Sequence, residues 1–214
     1  MGKVMFVERD TEYTDPMNVE LLSALAKRAG YATFLTVLSR ESLRDELRRV
    51  KPDVVAFSVK TGEHAEYARA CAAARAEIPG VKIVVGGPHP TFFPGLVWQW
   101  PVDAVGVGEC DDAWPALLTA WGAGRPADDI LNVVTPENAK RALRPKAGAG
   151  FEGRAWEVDS AWLTPRRTFL DDLPFLDREL VYRKAPNLAR WPMRDIMASR
   201  GCPFTCTYCF EPKF

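Results

Sequence analysis

KIVVGGPHP, Lys82 to Pro90, decides how this chain folds. Its continuous β-branched run is that of a strand covered on both faces, where alternation with polar residues is lost. The paired glycines and two prolines then stop the strand in a tight, stiff loop. Working outward, four further runs share this character: KVMFVE (3–8), ATFLTVL (32–38), DVVAFSV (53–59) and DAVGVGE (103–109). Amphipathic stretches separate them, among them PMNVELLSALAKRAG, with Pro16 near its start and Gly30 at its end, the usual proline-first, glycine-last order of a helix. SRESLRDELRRV, EHAEYARACAAARAEI and DDAWPALLTAWG read as the next crossovers, with a shorter helix around TFFPGLVWQW. The expectation is an α/β fold, a doubly wound, flavodoxin-like or Rossmann-like five-stranded parallel sheet of order 2-1-3-4-5. Ligands of such sheets bind beyond the carboxyl ends of the strands.

This unit is expected to occupy residues 1–124. From 125 to 193 proline, arginine and tryptophan rise, KAGAGFEGRAW is glycine-rich and apolar periodicity fades, which reads as a linker region with a short hairpin. A further strand, RDIMASRG, is expected to open a last segment, 194–214. The chain balances 28 basic against 28 acidic residues, so it carries no electrostatic footprint for nucleic acid or an anionic membrane. MGKVMFVERD is neither a signal peptide nor a membrane span, and a cytoplasmic location is the expectation.

Five cysteines, mostly clustered, fit a metal site better than a disulfide framework. Cys202, Cys206 and Cys209 follow C-x3-C-x2-C spacing, which lets one loop wrap three thiolates around a soft-metal site. A structural zinc wants four ligands, and no second knuckle or nearby histidine stands in the chain. An iron-sulfur cube held by three thiolates keeps one iron open for a substrate or cosubstrate; a zinc knuckle or incidental thiols are the bland alternatives. Cys71 reads as a small core residue, and Cys110 as either near a ligand or a plain loop thiol.

CPFTCTYC resembles the cluster motif of the radical S-adenosylmethionine (SAM) enzymes. The resemblance implies a [4Fe-4S] cluster on Cys202, Cys206 and Cys209, SAM chelated to its fourth iron, and Tyr208 beside the adenine. Three loops extend the likeness. SVKTGEH offers the hydroxyls of Ser58 and Thr61, GGPHPT the backbone of Gly86 and Gly87 with His89 and Thr91, and GECDD the pair Gly108 and Glu109. With DLPF-D at Asp172 to Asp177, they resemble the cobalamin-binding domain that precedes radical SAM barrels. That resemblance implies that 1–124 binds cobalamin and that 194–214 begins a partial (β/α) barrel, whose remainder, about six βα units and on the order of two hundred residues, lies outside this sequence.

Many cobalamin proteins carry Asp-x-His-x-x-Gly after the first strand; the corresponding ERDTEYTDP has no histidine, so a base-off cofactor without a protein histidine from that site is expected. The chain has only two histidines: by resemblance His89 contacts the corrin or its nucleotide tail, with turn capping as the alternative, and His64 reads as a solvated surface residue. Trp98 reads as core, and Asp111 or Asp112 as a helix cap. The chemistry implied is methylation of an unactivated carbon or phosphorus centre, in which a 5'-deoxyadenosyl radical from SAM abstracts hydrogen and the substrate radical takes methyl from methylcobalamin. A small-molecule substrate and an external flavodoxin- or ferredoxin-type electron donor would be its partners. The alternatives are cyclisation or rearrangement on the same architecture, and a non-catalytic metal- or cobalamin-binding module.

Overall fold

The computed structural model describes residues 1–11, 14–146 and 156–209. The five expected strands form, as β1 (Lys3–Glu8), β2 (Ala32–Val37), β3 (Val54–Ser58), β4 (Lys82–Gly86) and β5 (Ala104–Gly106). They are parallel, in the order β2-β1-β3-β4-β5. Their alternation feeds two cores. Val4 and Phe6 turn to one face, against α1 (Met17–Arg28) and α5 (Ala113–Gly122), while Met5 and Val7 turn to the other, against α2 (Leu43–Val50) and α3 (His64–Glu77). Pro16 occupies the N-cap of α1, and Ser42 caps α2 by accepting from the Asp45 N–H. β2 lies on one side of β1, and β3, β4 and β5 follow on the other, so the carboxyl edge between β1 and β3 is the switch point of the sheet.

The sheet has six strands, not five. β6 (Val133–Val134) pairs antiparallel to β5, out of the stretch read as linker. Two residues are too few for a periodic signal. What holds them is Asn132, in the left-handed region at φ 63° that asparagine tolerates. Its side-chain amide donates to the Val107 carbonyl (2.8 Å), and its oxygen accepts from the Thr164 N–H (2.9 Å) and hydroxyl (2.7 Å).

Further on, α4 (Pro88–Phe92) and a 3-10 turn (Pro94–Trp98) replace the single short helix expected around TFFPGLVWQW. After α6 (Ala139–Ala142), β7 (Leu143–Pro145) and β8 (Trp156–Val158) make an antiparallel pair within the segment expected to carry a short hairpin; residues 147–155 lie outside the described residues. Trp98 is 42% exposed rather than core: Pro94 to Val97 take the buried side of the turn, and Trp98 at its end meets Trp156 edge-on at 5.0 Å. α7 (Arg178–Tyr182) and α8 (Pro186–Arg190) pack Leu180, Val181, Ala185 and Leu188 into the same core as α1. The DLPF-D motif ends there in a clamp, since Asp177 pairs with Lys27 (2.7 Å) and accepts from the Ser23 hydroxyl of α1. RDIMASRG is not a strand: residues 194–199 are exposed and Arg200 is half-buried, with no neighbouring strand among the described residues to supply a ladder. No described helix is long and apolar enough to cross a membrane.

Candidate functional site

The parallel strands bring the ends of β1, β3, β4 and β5 to one edge, and two joined clefts open there. The first, about 520 Å³ including its open mouth, lies between the sheet and the helices α1 and α5. Its walls are apolar, with Phe6, Ala56 and Val84 from the sheet facing Val19, Trp114 and Leu117, and Ser58, Gly86, Gly87, Gly106 and Cys110 at its rim. At Gly87 the rim requires glycine. A Cβ at Gly86 would stand in the cleft with its nearest neighbour, the Gly106 carbonyl, 3.9 Å away, and Gly87, at φ 100°, lies so close to the Val59 backbone that a Cβ would meet it at 3.0 Å. Thr91 joins two of the loops: its hydroxyl donates to the Gly87 carbonyl (2.9 Å) and accepts from the Gly108 N–H (3.1 Å).

The second cleft, about 750 Å³ and also partly open, is polar and lies over β1, lined by Glu8, Asp10, Thr11, Thr14, Asp15, Pro16, Asn18, Ser58 and Lys60. Asn18 and Ser58 belong to both clefts, and the Asn18 amide donates to the Ser58 hydroxyl at 2.9 Å. Glu8 ends β1 only 3% exposed, and its Oε1 has no hydrogen-bond partner. Burial pushes its carboxyl up to about 8, against the opposing pull of Lys60 and a hydrogen bond with Ser58. Sequence reasoning missed Glu8, Asn18 and Lys60; the one available signal was a carboxylate closing the apolar run KVMFVE.

The other residues singled out from sequence are distributed as follows. His89 is buried and lines neither cleft. Its Nδ1 lies 3.2 Å from the Thr61 hydroxyl, and its ring stacks on His64 (4.5 Å) and Phe93 (4.8 Å). His64 is accordingly half-buried instead of solvated, with Nδ1 lacking a partner. Burial and the neighbouring His64 push the His89 imidazole down to about 4, so it is neutral. Cys71 is core, and burial pushes its thiol up to about 12. Cys110 shows the same shift from burial, but at the cleft rim.

Asp112 occupies the N-cap position of α5, but its side chain makes no cap hydrogen bond. Asp111 pairs with Arg200 and Asp112 with Arg167, because arginines from the later chain reach these carboxylates. Arg200 also lies 3.2 Å from Glu109, so the GE loop is tied to the residue two positions before Cys202. Of the three clustered thiols, Cys202 and Cys206 are exposed and Cys209 half-buried, while Tyr208 is 91% exposed. The loop closes on one turn, the Cys209 N–H donating to the Cys206 carbonyl (3.1 Å), and the described residues hold no converged group of three metal-binding side chains. Three soft thiols within eight positions are a donor set suited to an iron-sulfur cluster; their convergence is not built into this loop's own contacts.

Residues 3–118 match the model of the B12 binding domain. The chain is 26% identical over 211 residues to the anaerobic magnesium-protoporphyrin IX monomethyl ester cyclase of Rubrivivax gelatinosus, covering 93% of this chain and 35% of that protein. It is 28% identical over 207 residues to the hopanoid C-3 methylase of Methylococcus capsulatus, covering 91% of this chain and 35% of that one. It thus spans about a third of the length of these curated relatives. Among solved structures, the radical S-adenosylmethionine methyltransferase TsrM of Kitasatospora setae superposes with a TM-score of 0.64 at 18% identity, covering 99% of this chain and 41% of that one, which shows a shared fold.

Proposed function

The chain belongs to the B12 binding domain family, and from that premise we propose that it is the cofactor-binding part of a cobalamin-dependent radical SAM methyltransferase. The observation that carries the reading is the glycine-rimmed cleft at the carboxyl edge of the matched sheet, which has an apolar slot for a flat, buried part of the cofactor and a polar basin beside it. When bound, cobalamin would supply the methyl group, and the cluster with SAM the radical chemistry; the protein's part is to hold these groups and exclude competing reactions. Ser58, Gly86 and Gly87 would bear on the cobalamin directly, with Thr91 fixing the loop between them and Gly108. Cys202, Cys206 and Cys209 would ligate the cluster, Tyr208 would lie by SAM, and Arg200 would hold this loop toward Glu109 and Asp111. With no histidine in the loop after β1 to ligate cobalt, a cobalamin whose nucleotide tail enters the apolar cleft would be base-off with no protein histidine from that loop. An external one-electron donor and a small-molecule substrate complete the reaction. Ring formation is the second reading, favoured by the similarity to a cyclase.

Anaerobic reconstitution with iron and sulfide in the presence of hydroxocobalamin, followed by gel filtration and metal analysis, tests both cofactors together. About four irons per chain, lost in Cys202→Ala, with retained cobalt and a base-off spectrum, is the expected result. Zinc at one per chain without iron or sulfide would remove the radical part of the reading, and absence of both iron and cobalt would remove all of it.

A further inference from the structure

The polar basin over β1 holds a feature that the family match does not account for. Glu8 lies at its base, almost wholly buried, with Oε1 unpartnered, and Thr11, 2% exposed, also presents a hydroxyl oxygen without a partner. Native proteins rarely leave two adjacent buried polar side chains unsatisfied, and each costs free energy unless a ligand completes it. The constellation is polarised in one direction: Asn18 donates to Ser58, which leaves the Ser58 hydroxyl proton for the Glu8 carboxyl. Glu8 lines the basin, and no protein donor or acceptor reaches its Oε1.

We propose that Glu8 is a specificity-determining residue of this site, whose carboxyl pairs with a peripheral carboxamide of the bound corrinoid, with Thr11 beside it. A corrin ring carries neutral primary amides around its edge. A protonated carboxyl and a primary amide match through two hydrogen bonds, O–H to carbonyl and amide N–H to carbonyl, whereas a carboxylate can only accept. The charged and titratable groups around Glu8 set this state. Lys60 faces it across the basin and favours its ionisation, while Asp10 and Glu63 oppose it. Arg9 is occupied by Glu63 and Glu66, Asp15 by Arg178, and Tyr67 accepts the Arg9 N–H. Desolvation prevails, so the neutral acid persists to about pH 8.

The inference rests on the cobalamin reading, and one experiment separates their failures. Methylcobalamin, which has no group titrating in the range used, is bound in the dark to the full 214-residue chain at pH 7 and pH 9, with circular dichroism at both values to show that the fold is kept. The wild type should bind about tenfold more weakly at pH 9, the loss of neutral form for a group titrating near 8. Glu8→Gln, whose amide both donates and accepts, should bind with similar affinity at both values, and Glu8→Ala more weakly at both. Binding should also shift a protonated-carboxyl band in the infrared difference spectrum, absent in Glu8→Gln. A wild-type affinity independent of pH, or a slope retained in Glu8→Gln, overturns the role of Glu8 and leaves the cobalamin reading standing. Failure of every form to bind overturns both.

Discussion

Glu20 shows how much a single buried side chain decides. It lies on α1, fully buried, and neither of its carboxylate oxygens has a hydrogen-bond partner. Burial first, and then Asp15, push its carboxyl up to about 7 from an ordinary 4.5, with Arg178 pulling the other way. The native state therefore holds this proton more tightly than the unfolded chain does. The resulting stabilisation is complete below about pH 4.5 and is lost as pH rises through about 7. Glu20→Gln should accordingly raise the melting temperature by several degrees at pH 8, at about 2–4 °C per kcal/mol for a chain of this size, and leave it nearly unchanged at pH 4.5. Calorimetry at the two pH values checks this; an equal shift at both would mean that packing, not ionisation, is responsible. In the sequence Glu20 is one polar position in an amphipathic helix, because α7 and Asp177, which cover it, come from more than 150 residues away.

Among the elements, the strands were legible because each is a continuous apolar run, and the loops after them because glycine and proline permit few backbone courses. How the loops hold one another was not legible. Thr91 read as a ligand contact, and the structure has its hydroxyl bridging the Gly87 carbonyl and the Gly108 N–H, so that the turns after β4 and β5 move as one. Thr91→Val keeps the shape and removes both bonds. It should weaken cobalamin binding by roughly fivefold and lower the melting temperature by a few degrees, each reflecting about 1 kcal/mol. Hydrogen exchange at the Gly108 amide is the direct readout, and unchanged protection would show that the bridge does not hold the loop. His64 and His89 illustrate the same gap: nothing in their spacing of 25 positions announces a stacked pair.

The packing of the whole molecule continues past the change in composition. Texture changes near Gly124, but the sheet continues into β6, and α7 and α8 close the core over α1. We expect a chain ending at 124 to be strongly destabilised, since it loses the burial of Val133, Leu180, Val181 and Leu188, while a chain ending at 190 melts cooperatively and keeps cobalamin without iron. Equal stability of the two truncations, measured by urea unfolding, would count against a shared core. Residue type alone was enough to locate the five strands, the glycine loops that follow them and the thiol spacing of the last segment, because each depends on neighbours within a few positions. Only the tertiary structure decided the sixth strand, the burial of Glu8 and Glu20, the meeting of Arg200 with Asp111 and the withdrawal of His89 from the clefts. Each of these is made by partners distant in the chain, and local periodicity carries no record of which distant residue will arrive.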